Sequence, residues 1–207
     1  MATSWLIDLL LTSAILVASL PALRSGILLL AVQSTLLTLL TLGVTTATPA
    51  TAITALLIFG VKAVFIPWLL LRLEAHPDQG APPLFPGLWS WVASGLVLVV
   101  LNPATPLVPP DVVPRPLLLT AALDMVLLGL LVMIRRRLLL AQVVGMVVIE
   151  NGLYAAGLAV AGGLPLVLDW GVLIDLLLAI FILGWLFRRT RVLLDRPDTE
   201  ELSHLRG

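Results

Sequence analysis

LLLAQVVGMVVIENGLYAAGLAVA, residues 138–161, decides the fold class. The run carries one formal charge, Glu150, at its centre. About 20 apolar residues in a helix cross a hydrocarbon core of roughly 30 Å. Backbone groups in lipid must find their partners inside their own segment, so such a run is a helix and not a strand. The short alternating segments of a membrane barrel are absent.

Other runs of the same kind lie on both sides of it. The pattern predicts helices over 4–22, 25–46, 51–72, 88–102, 116–134, 138–161 and 167–188. The chain has 207 residues, of which 60% are hydrophobic and only 12% charged, and a mean hydropathy of +1.12. A soluble protein of this size needs far more polar surface. The expectation is an all-α, polytopic membrane bundle of about seven helices forming one integral membrane domain over 1–207. The fourth helix is the shortest, between APPLFP at 81–86 and NPATPLVPPDVVPRP at 102–116. Proline opposes helix continuation, as does the position before it. The first 20 residues lack a basic leader and carry Asp8, so they read as a retained helix.

Charge placement sets an orientation. In the seven-helix arrangement one set of connections holds Arg24, Arg72, Arg135, Arg136, Arg137, Arg188, Arg189, Arg191, Arg196 and Arg206, and the opposite set holds Arg115 alone. The positive-inside rule then puts the N-terminus outside and the C-terminus in the cytoplasm. A net charge of zero argues against a nucleic-acid partner. The absence of cysteine excludes thiolate-held clusters and disulfides in this chain. His76 and His204 stand alone in polar connections and make no metal site. No P-loop, GxGxxG or nucleophile motif is present. No cofactor is expected.

An internal repeat is visible. RSGILLLA at 24–31 echoes RRRLLLA at 135–141, and FIPWLLLR at 65–72 echoes LGWLFRR at 183–189. Three-helix units over 4–72 and 116–190, with a spacer helix at 88–102, would be two copies in parallel orientation.

Four charged residues fall inside the predicted helices: Lys62, Asp124, Glu150 and Asp175. A charge at mid-bilayer costs roughly 2.5–3.5 kcal/mol on insertion scales, so it rarely faces lipid. Measured from the basic end of its helix, Glu150 lies about 20 Å deep, as does Asp175. Asp124 and Lys62 lie about 15 Å deep, at 1.5 Å per residue. The four share a level. Asn151 follows Glu150, and Tyr154 is one turn on along the same face, where each could hydrogen-bond the carboxyl. A carboxyl under the opposed influences of burial and a nearby ammonium can take up and release a proton. That is the chemistry of a relay. The alternative is a set of buried ion pairs that only fix helix packing, with Lys62 bound to one carboxylate. Asp8 reads as interfacial. A stand-alone transporter would need paired helix interruptions in both halves, which this chain lacks.

ENGLYAAGLA at 150–159, GLP at 163–165, DWGVLIDLLLAI at 169–180 and KAVFIPWLLLRL at 62–73 together resemble the E-type membrane component of hydrogenase 4. More distantly, residues near 120–207 resemble the K-type membrane component of respiratory complex I and the matching small component of multi-subunit cation/proton antiporters. The RRRLLL turn and the final SHLRG contribute to that likeness. The resemblance implies a non-catalytic subunit of a group 4 hydrogenase, formate hydrogenlyase or complex I-like assembly in a prokaryotic inner membrane. Its partners would be antiporter-like membrane subunits and hydrogenase-type redox subunits, with the metal centres on those chains. The K-type component carries a mid-membrane glutamate in each of its last two helices. Glu150 falls one turn from the first of these positions, and Asp175 takes the place of the second. The relay would then use Glu150 and Asp175, with Lys62 and Asp124 assisting and Asn151 and Tyr154 supporting.

Overall fold

The structure is a computed structural model that describes residues 4–74, 87–101, 113–136 and 138–161, together with Leu177, Phe181 and Gly184. Six helices account for nearly all of it: α1 Ser4–Ser19, α2 Leu23–Val44, α3 Pro49–Glu74, α4 Leu88–Leu101, α5 Pro116–Arg135 and α6 Leu139–Ala161. No strand occurs among the described residues. The seventh helix expected at 167–188, and Asp175 within it, lie outside them, apart from the three residues named, which are helical.

The helix ends follow local chemistry. Helix α1 stops at Ser19, short of residue 22, because Pro21 follows Leu20 and removes a donor. Helix α3 starts two residues earlier than the hydropathy pattern suggests. Thr48 caps it by accepting from the Thr51 amide at 3.2 Å, and Pro49 occupies the first turn. Pro116 opens α5 in the same way. Gly87, with φ of +62°, makes the left-handed step into α4 that a side chain would oppose.

Among the described residues, four helices are long and apolar enough to cross a membrane: Leu23–Val44, Pro49–Glu74, Pro116–Arg135 and Leu140–Val160. Helices α1 and α4, of 16 and 14 residues, reach only about 24 and 21 Å. The bundle reverses the polarity of a soluble protein. Lys62, Asp124, Glu150, Asn151 and Gln33 are inside, whereas Leu56, Phe65, Trp68, Leu88, Trp89 and Val99 are exposed. Such a surface suits hydrocarbon and would associate in water.

Helices α5 and α6 form the tightest pair and run antiparallel. A Cβ on Gly129 would lie 2.7 Å from the Gly145 carbonyl oxygen, and one on Gly152 would lie 2.8 Å from the Ala122 carbonyl oxygen. Glycine lets the two backbones meet at both levels. Helix α1 packs on α2, α4 and α5, and α2 packs on α3 and α6. Arginines stand at both ends of α5. Arg115 donates to the carbonyls of Val44 and Leu158, both at 3.0 Å, and so closes the C-terminal turns of α2 and α6. Arg135 and Arg136 both reach the Leu20 carbonyl at the opposite end.

Candidate functional site

The polar centre of the bundle lies where α2, α3 and α6 meet. Its first ingredient is a distortion of α3. Residues Ile58–Phe65 form a π-helical stretch, closed by a hydrogen bond from the Ile66 amide to the Val61 carbonyl. Pro67 follows immediately; it has no N–H for the Ala63 carbonyl, and its ring crowds that group. The wider turn absorbs the misfit, and Gly60 within it adds no side chain. A π segment shifts the faces of the helix that follows. Here Lys62 and Ala63 turn inward while Gly60, Val64 and Phe65 stay outside.

Lys62, only 3% exposed, points at α6. Its Nζ lies 2.6 Å from Glu150 Oε1, and Glu150 is itself 8% exposed. The same ammonium donates to Asn151 Oδ1 at 3.3 Å. Asn151 passes the network on to α2, its Nδ2 donating to Gln33 Oε1 at 2.9 Å and, more weakly, to Ser34 Oγ at 3.5 Å. The ammonium thereby fixes the orientation of the Asn151 amide. One turn along α6, the Tyr154 ring lies 5.8 Å from Lys62 Nζ, in reach of a cation–π attraction. Its hydroxyl pairs with Thr41 Oγ1 of α2 at 3.0 Å, and not with the Glu150 carboxyl.

Two loose ends remain in this network. Beyond the ion pair, neither carboxylate oxygen of Glu150 has a hydrogen-bond partner among the described residues, and Gln33 Nε2 has none either. An unmade hydrogen bond at a buried polar atom costs about 1–3 kcal/mol. A network that served packing alone would be expected to satisfy these groups.

Of the residues picked from the sequence, Lys62, Glu150, Asn151 and Tyr154 therefore come together, and Asp124 does not join them. The glycine register places Asp124 level with Glu150. The α6-facing side of α5, however, is marked by Ala122, Met125, Val126, Gly129 and Met133. At about 100° per residue Asp124 lies on the far side of the helix. It is completely buried, and neither of its oxygens has a hydrogen-bond partner among the described residues. No group of three or more His, Cys, Asp or Glu residues able to hold a metal occurs among the described residues.

Sequence reasoning missed the contribution of α2. Gln33, Ser34 and Thr41 supply its side of the centre, and Thr38 is buried with them. A signal was present: Ser34, Thr38, Thr41 and Thr45 recur at helical spacing in a leucine-rich run, so one stripe of α2 carries hydroxyls.

No protein-family profile matches the chain, and no solved structure matches it. The chain is similar to the uncharacterized protein Rv0085 of Mycobacterium tuberculosis (strain H37Rv), with 29% identity over 153 residues, which covers 72% of this chain and 70% of the relative.

Proposed function

We propose that this chain is a non-catalytic membrane subunit of an energy-converting redox complex of the hydrogenase 4 or complex I-like type, and that Glu150 carries a proton, or Na⁺, across the middle of the bilayer. The observation that carries the reading is the Lys62–Glu150 pair, buried at the centre of an apolar bundle with its carboxylate otherwise unsatisfied. An ammonium 2.6 Å away stabilises the ionised carboxylate, and burial opposes it. Small movements of Lys62 would therefore tip the balance between holding and releasing a proton. The π turn beneath Lys62 is the kind of helix irregularity that recurs at functional sites.

In this reading seven helices span a prokaryotic inner membrane, the N-terminus is outside and the C-terminus is cytoplasmic. The clustering of basic residues at one end favours that orientation. Asp175 would supply a second carboxylate and Asp124 a third. Antiporter-like membrane subunits and hydrogenase-type redox subunits would be the partners, and the redox centres would sit on the latter.

A second reading, a structural anchor, is favoured by one specific feature: the same ion pair ties α3 to α6. The test is Glu150→Gln in the intact complex reconstituted in vesicles. The relay reading expects the complex to assemble while coupled proton movement falls at least tenfold. Normal pumping would refute it, and loss of assembly with normal turnover of the residual complex would favour the anchor.

A further inference from the structure

The two arginines that end α5 form a second unusual centre, independent of Lys62 and Glu150. Arg135 is 1% and Arg136 7% exposed. Arg135 donates from one terminal nitrogen to Ser90 Oγ in the first turn of α4, and from the other to the Leu20 carbonyl. Arg136 donates to the same carbonyl. Ser94, one turn beyond Ser90, meets Ser19 Oγ at 3.1 Å. Gln142 Nε2 closes the turn by donating to the Met133 and Arg136 carbonyls, both at 2.8 Å.

Among the described residues, every acceptor these guanidiniums reach is neutral. The ion pair found there, Lys62–Glu150, lies elsewhere. The Nε atoms of both arginines are buried without a hydrogen-bond partner among the described residues. The C-termini of α1 and α5 offer partial negative charge here, but the N-termini of α4 and α6 lie at the same end and offset it. Two adjacent positive charges are thus buried with only neutral partners among the described residues, and buried charge calls for a counter-ion. Burial, and then the charge of Arg135, pushes the Arg136 guanidinium down to about 10.

We propose that this end of the bundle is a lipid site, in which the phosphate of an anionic phospholipid headgroup docks on Arg136, with the charge of Arg135 behind it, between α1, α4, α5 and α6. The guanidinium fork matches phosphate oxygens. Basic pockets between transmembrane helices hold anionic headgroups in this way. The first turn of α4 exposes Leu88 and Trp89 beside the helix start that holds Ser90. They give an acyl chain and a headgroup region the apolar and aromatic contacts that a free anion would not use.

The test uses the full chain in neutral detergent, stripped of lipid, with the melting temperature followed against added phosphatidylglycerol, phosphatidylcholine or inorganic phosphate. Phosphatidylglycerol should raise the melting temperature saturably, as binding to the native state alone must. Phosphatidylcholine and inorganic phosphate should not. Arg136→Gln should shift half-saturation at least fivefold, and Arg136→Lys, which keeps the charge but loses the fork, should fall between. An equal rise with phosphatidylcholine, no rise with any lipid, or an unshifted Arg136→Gln curve would overturn the proposal. A full response to inorganic phosphate would overturn the lipid assignment in favour of a free-anion site. Should Arg136→Gln fail to fold, native mass spectrometry of the unaltered chain in equal mixtures of the two lipids decides: preferential retention of phosphatidylglycerol supports the site, and equal retention refutes it.

Discussion

Removing one partner of the Lys62–Glu150 pair should damage the protein more than removing both. At 2.6 Å, two unit charges in an effective dielectric near 20 attract by about 6 kcal/mol. Desolvating both ions consumes a comparable amount, so the pair as a whole adds little net stability. Truncating one side leaves the other charge buried alone. After Glu150→Gln the ammonium loses its counter-charge and keeps only neutral partners: the new amide oxygen, Asn151 Oδ1 at 3.3 Å and the Tyr154 ring at 5.8 Å. After Lys62→Met the carboxylate keeps no partner among the described residues and must take up a proton. Each single change should cost about 3 kcal/mol. The double variant, with two neutral side chains of similar volume, should lose about 1 kcal/mol or less. Reversible unfolding in mixed detergent and dodecyl sulfate micelles, followed by the fluorescence of the six tryptophans, measures all four corners of the cycle. Additive losses, with the double variant about 6 kcal/mol down, would show that the two charges do not sense one another and would sink the electrostatic account of the centre.

Gly129→Ala should destabilise by about 2 kcal/mol, because the new methyl would sit 2.7 Å from the Gly145 carbonyl oxygen and 2.9 Å from the Ile149 nitrogen, neither of which can turn aside. Gly95→Ala in α4, with nothing within 4 Å of the added carbon, should be neutral or stabilising by up to about 1 kcal/mol; the same unfolding assay compares them. Arg115→Ala removes two hydrogen bonds to the carbonyls of Val44 and Leu158 and should cost about 2 kcal/mol in that assay.

The level at which Lys62 and Glu150 meet along the bundle was legible in the sequence, whereas direction around the helix was not. Counting residues from the basic end of each helix needs only the rise per residue, and it put Lys62 and Glu150 near one level. That count could not say which way Asp124 points. Its azimuth depends on which face of α5 the glycines present to α6, a property of the pair and not of either helix. The π segment carried a faint trace in Gly60 and Pro67, but an ordinary proline kink gives the same trace. Arg115 stood out in the charge count only as the exception. Its work of closing two helix ends needs three segments far apart in sequence to end at one place. The hydroxyl stripe of α2 escaped attention because threonine and serine bond their own helix backbone, as Thr38 and Thr41 do to the carbonyls of Ser34 and Leu37. They therefore carry little penalty to mark them in an apolar run.

The relay and anchor readings share every contact of the centre, so no contact separates them; the double variant does. If Lys62 and Glu150 serve only to join α3 to α6, Lys62→Met with Glu150→Gln restores the joint and should restore the coupled activity of the complex along with its stability. If Glu150 carries the proton, the restored joint changes nothing, since neither methionine nor glutamine can take up and pass on a proton at neutral pH. The second carboxylate oxygen of Glu150, outside the ion pair, and Gln33 Nε2, both unpartnered among the described residues, lean toward the second outcome, because a joint built for strength alone would have been completed with partners or replaced by hydrocarbon. Vesicles holding the stable double variant, with proton uptake read against redox turnover, would separate the two in one measurement: turnover without uptake identifies a carrier, and full recovery of both identifies a brace.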